Sequence, residues 1–213
     1  MLTFNGSNYI ETINNFTVPA TVSVSLWLLA TYSTGSQYFL GSNVDFKAFI
    51  QNTTNLYFYF GGSTNKNKTL TNDVWYHIAA CFSDTANTID IYVDGVLEHS
   101  EIDQNDTPGV GTMRFGWSGD QGNPNTKFYG SLDDIRIYNR ILTLGEIKTI
   151  YYSRGKENIL DGLINWWPLQ EYSNGTVASG TGAVKDIIGG NHATPTGDPI
   201  YGNPITEIGG RVQ

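Results

Sequence analysis

The chain carries one cysteine, two methionines and seven prolines among its 213 residues, and 12 Lys and Arg against 20 Asp and Glu. A lone cysteine excludes an internal disulfide. Cys81 lies in the apolar run Ala79-Ala80-Cys81-Phe82, which reads as a small buried side chain and not as a reactive thiol. The formal charge of −8 supplies no basic groove or stripe, so nucleic acid is excluded as the expected partner. No apolar run is long enough to span a bilayer, so no membrane partner is expected. Met1-Leu-Thr-Phe-Asn-Gly enters a strand-like pattern directly, without the basic start and apolar stretch of a signal peptide. The three histidines lack metal-ligand spacing, and no Ser/His/Asp arrangement or phosphate loop stands out.

What is abundant is turn and strand material: 24 glycines and 13% aromatic residues, 13 of them tyrosines. Short apolar runs separated by Gly, Asn and Thr are the profile of strands joined by tight turns, so the expected fold class is all-β. Val22-Ser-Val-Ser-Leu-Trp27 alternates cleanly, and Phe39-Leu-Gly and Leu56-Tyr-Phe-Tyr-Phe60 read as further strands. Thr88-Ile-Asp-Ile-Tyr-Val-Asp94-Gly95-Val-Leu-Glu is a hairpin, because Asp-Gly tolerates the left-handed angles of a two-residue turn.

The most informative stretch runs from Phe128 to Tyr151. Its first half alternates, which predicts a strand with Asp133, Ile135 and Ile137 on one face and Leu132, Asp134, Arg136 and Tyr138 on the other. The adjacent acids are therefore expected on opposite faces. Thr143-Leu-Gly-Glu146 is a capping box that predicts one short helix near 143–153. Ile147, Ile150 and Tyr151 form its apolar stripe, and Gly155 is its stop.

Gly130-Ser-Leu-Asp-Asp-Ile-Arg-Ile-Tyr-Asn-Arg140 resembles the closing strand of the laminin-G-like, concanavalin A-like lectin family. Leu2-Thr-Phe-Asn-Gly, the strand ending in Trp27, and Trp75-Tyr-His77-Ile-Ala resemble the same family in the same order. The resemblance implies a concanavalin A-like antiparallel β-sandwich, or jelly roll. Gly162-Leu-Ile-Asn-Trp-Trp167-Pro-Leu and Val184-Lys-Asp186-Ile-Ile-Gly-Gly-Asn191-His192 resemble the family's first strand and following loop, which in relatives come before the Phe-Asp-Gly strand. The tail Ile208-Gly-Gly-Arg-Val-Gln resembles the approach to that strand. The expectation is a single domain over 1–213, circularly permuted, with 1–155 as main body and 156–213 as the returning block. That block closes the same chain or, by exchange, a neighbour's sheet, and closure within the chain is favoured.

A carboxylate on the inner face needs donors or a cation. Calcium would take hard oxygen ligands, with Asp134, Asp186 and Asn191 as the candidate set; the alternative is a carboxylate held by backbone amides or Arg136. Glu101-Ile-Asp103-Gln-Asn-Asp106 resembles the Glu-x-Asp-x-x-Glu of laminarinase-like enzymes, but its last acid is Asp and Pro108-Gly109 follow at once. A solvated acidic loop is expected there, and no enzyme. Tyr32, Tyr38, Trp117 and Tyr129, in or near expected loops, are candidates for stacking on sugars. The free-standing pattern resembles bacteriophage virion proteins. That implies a decoration protein on the virion surface, made in the host cytoplasm, contacting capsid or other virion proteins, with a possible homo-oligomer and cell-surface glycan as further partners. The alternative is a carbohydrate-binding lectin module, calcium-dependent if the acid set is a metal site.

Overall fold

A computed structural model describes residues 1–31, 35–42, 44, 46–51, 55–60, 63–102, 109–119 and 126–205. Two antiparallel sheets face each other across one apolar core, as the all-β expectation requires. One sheet runs β11(Val96–Ile102)-β10(Thr88–Val93)-β9(Trp75–Ser83)-β4(Thr21–Ala30)-β14(Tyr129–Tyr138)-β1(Leu2–Asn5)-β17(Ile200–Tyr201), and β15(Leu163–Trp167) also pairs with β14. The other runs β16(Ala193–Thr196)-β2(Tyr9–Thr12)-β13(Met113–Phe115)-β5(Ser36–Ser42)-β6(Phe46–Gln51)-β7(Asn55–Phe60)-β8(Ser63–Thr69). The short pair β3(Phe16–Thr17) and β12(Val110–Gly111) stands apart.

Period-two alternation sends Val22, Val24, Leu26 and Leu28 of β4 into the core between the sheets. The opposite face of β4 is also buried, because helix α1 (Leu144–Ser153) lies over it. Serines make that possible: Ser23 Oγ donates to Arg140 O at 2.8 Å and accepts from Leu142 N at 3.0 Å, anchoring the segment that enters the helix. The capping box is formed as expected, with Glu146 N donating to Thr143 Oγ1 and Thr143 N to Glu146 Oε2. Ile147 and Ile150 are buried beneath the helix, and Arg154, in the left-handed conformation at φ 53°, ends it ahead of Gly155. The Asp94-Gly95 hairpin turn is also present, with both residues at positive φ between Val93 and Val96.

The expected face assignment of β14 does not hold. Asp133 pairs with Trp27 and Arg136 with Ser25, so two residues of β14 oppose one of β4. This is a β-bulge, and Asp134 occupies it with φ 50°. The extra residue shifts the alternation. Leu132 therefore joins Ile135 and Ile137 in the core, while Asp133 and Arg136 share the helix-covered face with their cross-strand partners. Asp134 bonds to Arg136 on that same side, so the two carboxylates are not on opposite faces.

The other edge of β14 is shared end to end. β1 pairs with Tyr129 to Leu132, and β15 pairs with Ile135 to Tyr138. β16 pairs with β2 and β17 with β1, so every strand of 156–205 bonds to a strand of the same chain's first 155 residues. Asp133 holds the junction: its carboxylate meets the Met1 amine at 3.2 Å and accepts from Ile205 N at 2.6 Å. Ile208 to Gln213 lie outside the described residues.

Candidate functional site

On the outward face of the seven-stranded sheet, alternation leaves aromatic and cationic side chains pointing away from the core. Leu56, Phe58 and Phe60 of β7 face inward, so Tyr57 and Tyr59 face outward. Tyr38 pairs with Phe49 across β5 and β6, and Phe49 with Tyr57 across β6 and β7. Their rings form a continuous cross-strand run, with centroids 4.7 Å and 5.1 Å apart and the second pair parallel within 4°. Lys47 lies 5.7 Å from the Tyr59 ring on the same face.

A second cluster adjoins it. Tyr38 bridges to Lys127, whose ammonium sits 5.5 Å from the Tyr9 ring and 5.6 Å from Trp117. Tyr9 and Trp117 are in ring contact at 4.8 Å, and Arg114 lies over Trp117 while pairing with Glu11 at 2.7 Å. The result is a broad aromatic surface edged by cations. Tyr9, Tyr38, Tyr57 and Tyr59 are half-buried and keep ring faces toward solvent for stacking, Phe49 and Trp117 are buried among them and support them, and the fixed polar groups offer hydrogen bonds at the margins. Among the described strand residues facing outward here, Glu11 is the one carboxylate, and it is engaged by Arg114 and by Thr112 Oγ1.

Tyr38 and Trp117 are thus brought onto one face. Tyr129 is not: it begins β14 in the other sheet and packs over Gly6, where an added Cβ would meet its ring at 2.0 Å. Tyr32 lies outside the described residues. Sequence inspection missed Tyr9, Phe49, Tyr57, Tyr59 and Lys127. The strand pattern of Leu56 to Phe60 could have shown which tyrosines face outward, but only the register aligns them with Tyr38.

The three proposed metal ligands each have separate work. Asp134 Oδ1 accepts from Arg136 Nε at 2.9 Å and Trp166 Nε1 at 2.7 Å. Its Oδ2 faces Gly155, where an added Cβ would lie 2.3 Å from it. Asp186 accepts five bonds. Oδ1 takes the amides of Trp166, Ile188 and Gly189, and Oδ2 takes Asn191 N and Asn165 Nδ2. Asn191 exchanges hydrogen bonds with the backbone of Asn14, and its carbonyl accepts from Trp167 Nε1. These residues fasten the returning block to β14 and to the turn after β2, with their oxygens largely taken up by protein donors. Among the described residues no cluster of three or more His, Cys, Asp or Glu side chains converges as a metal site would.

Glu101 lies at the end of edge strand β11 and pairs with His99 at 3.0 Å; Asp103, Asp106 and Pro108 are outside the described residues. His77 is fully buried, with Ser25 Oγ 2.9 Å from its Nε2. Burial, and then Arg136, holds it far below its ordinary range, at about 3. A neutral, sealed imidazole of this kind serves packing and has no access to a substrate. Among the described residues no helix is long and apolar enough to cross a membrane.

Residues 4–148, more than half of the chain, match the model of the concanavalin A-like lectin/glucanases superfamily. The chain belongs to that superfamily. No curated protein sequence matches it. Among solved structures, it is similar to a candidate carbohydrate-binding protein from Bacteroides ovatus, with TM-score 0.73, 19% identity and 93% of this chain covered. The chain spans 58% of the length of that protein. It is also similar to a heptameric SAP-like pentraxin from Limulus polyphemus, with TM-score 0.61, 13% identity, and 76% of this chain and 89% of that one covered. A third similarity is to domain 4 of an extracellular arabinanase from Geobacillus stearothermophilus, in complex with arabinotriose, with TM-score 0.55, 20% identity, and 70% and 75% covered. At these identities the superfamily's sandwich fold is what is shared, and function has to be argued from the surface.

Proposed function

We propose that this chain is a non-enzymatic carbohydrate-binding module that holds a saccharide against the outward face of its seven-stranded sheet. The observation that carries this reading is the stacked run Tyr38–Phe49–Tyr57, continued by Lys127 to Tyr9 and Trp117. Sugar rings present one apolar C–H face and a girdle of hydroxyls. An aromatic row edged by Lys47, Arg114 and Glu11 suits both parts. The names of the Bacteroides and arabinanase relatives point the same way.

The acids of the described strands support a non-enzymatic reading. Glycoside hydrolysis usually needs two carboxylates flanking the bond, about 5–10 Å apart, and the described strands of this face present Glu11 alone, already paired with Arg114. The bacteriophage role expected from the sequence has no support in the names of the three relatives described above.

A glycan array, followed by calorimetry with arabinotriose and the saccharides it selects, tests the reading. Binding that is lost in Tyr57→Ala and Tyr38→Ala, with melting temperature little changed, is the expected result. An array without any bound glycan, or binding indifferent to both variants, would overturn it.

A further inference from the structure

A cleft of about 490 Å³ opens between the tip of the β10–β11 hairpin, the end of edge strand β8 at Lys68 and the last turn of α1. Its lining brings together Asp94, Lys68, Tyr76, Tyr151 and Tyr152. None of these belongs to the aromatic surface of the seven-stranded sheet. We infer that this cleft is a second, separate saccharide site, in which one pyranose or furanose ring lies against Tyr152 and gives hydroxyl hydrogen bonds to Asp94. The ligand class rests on the carbohydrate-binding reading; the site itself rests on its own geometry.

The groups are held in place before any ligand arrives. Asp94 sits at φ 53° in the hairpin turn, donates its amide to His77 O at 2.9 Å and accepts His77 N on Oδ1 at 2.8 Å. Its Oδ2 makes no hydrogen bond to a described residue, so the anchored carboxylate retains an acceptor. Tyr151 is fixed by its ring contact with Trp27, at 5.9 Å and 27°, and by His77 at 6.1 Å. Tyr152 meets Tyr151 at 5.0 Å yet is 75% exposed. The exposed face of this ring is open to stacking by a ligand in the cleft. Lys68, also in the lining, is paired with Glu98 at 2.7 Å, and Tyr76 is pinned through its hydroxyl, which accepts Thr71 N at 3.1 Å.

The chemistry selects a sugar over other small ligands. The volume falls within the ordinary range for a small-molecule site, and an aromatic face combined with a carboxylate and an ammonium fits a ring with one apolar face and several hydroxyls. A purely apolar ligand would desolvate Asp94 Oδ2 without giving it a donor. An anion would meet two carboxylates, Asp94 and Glu98, against one lysine.

Amide NMR on the full chain, titrated with glucose-, galactose-, mannose- and arabinose-based oligosaccharides, tests this directly. A member of the panel is expected to shift Asp94, Gly95 and Tyr152. Tyr152→Ala and Asp94→Asn should each weaken that response by about tenfold, while Tyr57→Ala leaves it in place. Shifts confined to the aromatic surface around Tyr38, Phe49 and Tyr57 would overturn the second site and leave the proposed function standing. Shifts confined to the cleft would do the reverse. No shift at either place would overturn both.

Discussion

The indole N–H of Trp166 donates to Asp134 Oδ1 at 2.7 Å, tying the returning C-terminal block to the bulge in β14. The same oxygen accepts from Arg136, whose other nitrogens donate to Glu157 O and Gly155 O. One buried carboxylate thus joins the strand, the segment that leaves the helix and the first strand of the block. Arg136 also lies 4.5 Å from the Trp166 ring, so the pair is held by stacking as well.

Trp166→Phe keeps most of the packing and removes only the donor. A hydrogen bond to a charged group contributes about 1.5–3 kcal/mol, and a loss of that order is expected in urea unfolding. Asp134→Ala should cost more, about 3–5 kcal/mol, because it leaves Arg136 buried without a counter-charge.

Gly155→Ala is expected to destabilise through two effects at one position. The residue sits at φ 74°, and its new Cβ would lie 2.3 Å from Asp134 Oδ2. The backbone effect alone is about 1 kcal/mol. Gly175→Ala, at φ 84° but with nothing within 4 Å, isolates that part, and the difference between the two melting temperatures measures the clash.

Asp186 behaves as a fastening for amides. Asp186→Asn turns one acceptor into a donor facing N–H groups and should cost about 1–3 kcal/mol. Calcium, or a chelator, is expected to leave the wild-type melting temperature unchanged. A calcium-dependent rise that vanishes in Asp186→Asn would instead assign the residue to a metal.

Stability should respond to acid in two opposing ways. Burial raises Asp94 from 3.8 to about 6, so the unfolded chain releases this proton first, and the contribution present below pH 4 is lost as pH rises toward 6. Burial lowers His77 from 6.5 to about 3, so the unfolded chain takes up a proton first, and stability is lost as pH falls below 6.5. Burial raises Asp133 to about 6 as well, adding a second contribution that falls over the same range. Asp94→Asn, which retains an acceptor for His77 N, removes one of the two falling contributions and should make the change of melting temperature from pH 4 to 6 more positive than in the wild type.

At the aromatic surface, Tyr57→Ala removes a ring at the end of the stacked run. A loss of about tenfold in saccharide affinity, or ~1.4 kcal/mol, is expected by calorimetry. Tyr129→Ala lies on the other sheet and should leave that affinity unchanged.

Local signals were legible in the sequence. Alternation located the strands around Trp27, Phe58 and Ile137. Asp94-Gly95 marked a hairpin, Thr143 to Glu146 marked a helix start, and the motif order pointed to the superfamily. Each of these depends on energies acting within a few residues: side-chain period, left-handed turn angles, and amides that need a cap. The faces of Asp133 and Asp134 depended on a bulge, which alternation by itself does not reveal. The alignment of Tyr38, Phe49 and Tyr57 depended on register, and the Asp94–Tyr152 cleft on a helix and a hairpin about sixty residues apart packing together. Asp186 has the composition of a metal ligand, yet five donors converge on it once the block folds back. The chain's pattern determined its elements; which polar groups found partners, and which rings were left facing water, was decided by long-range pairing, because hydrogen bonds and burial are satisfied only when distant segments meet.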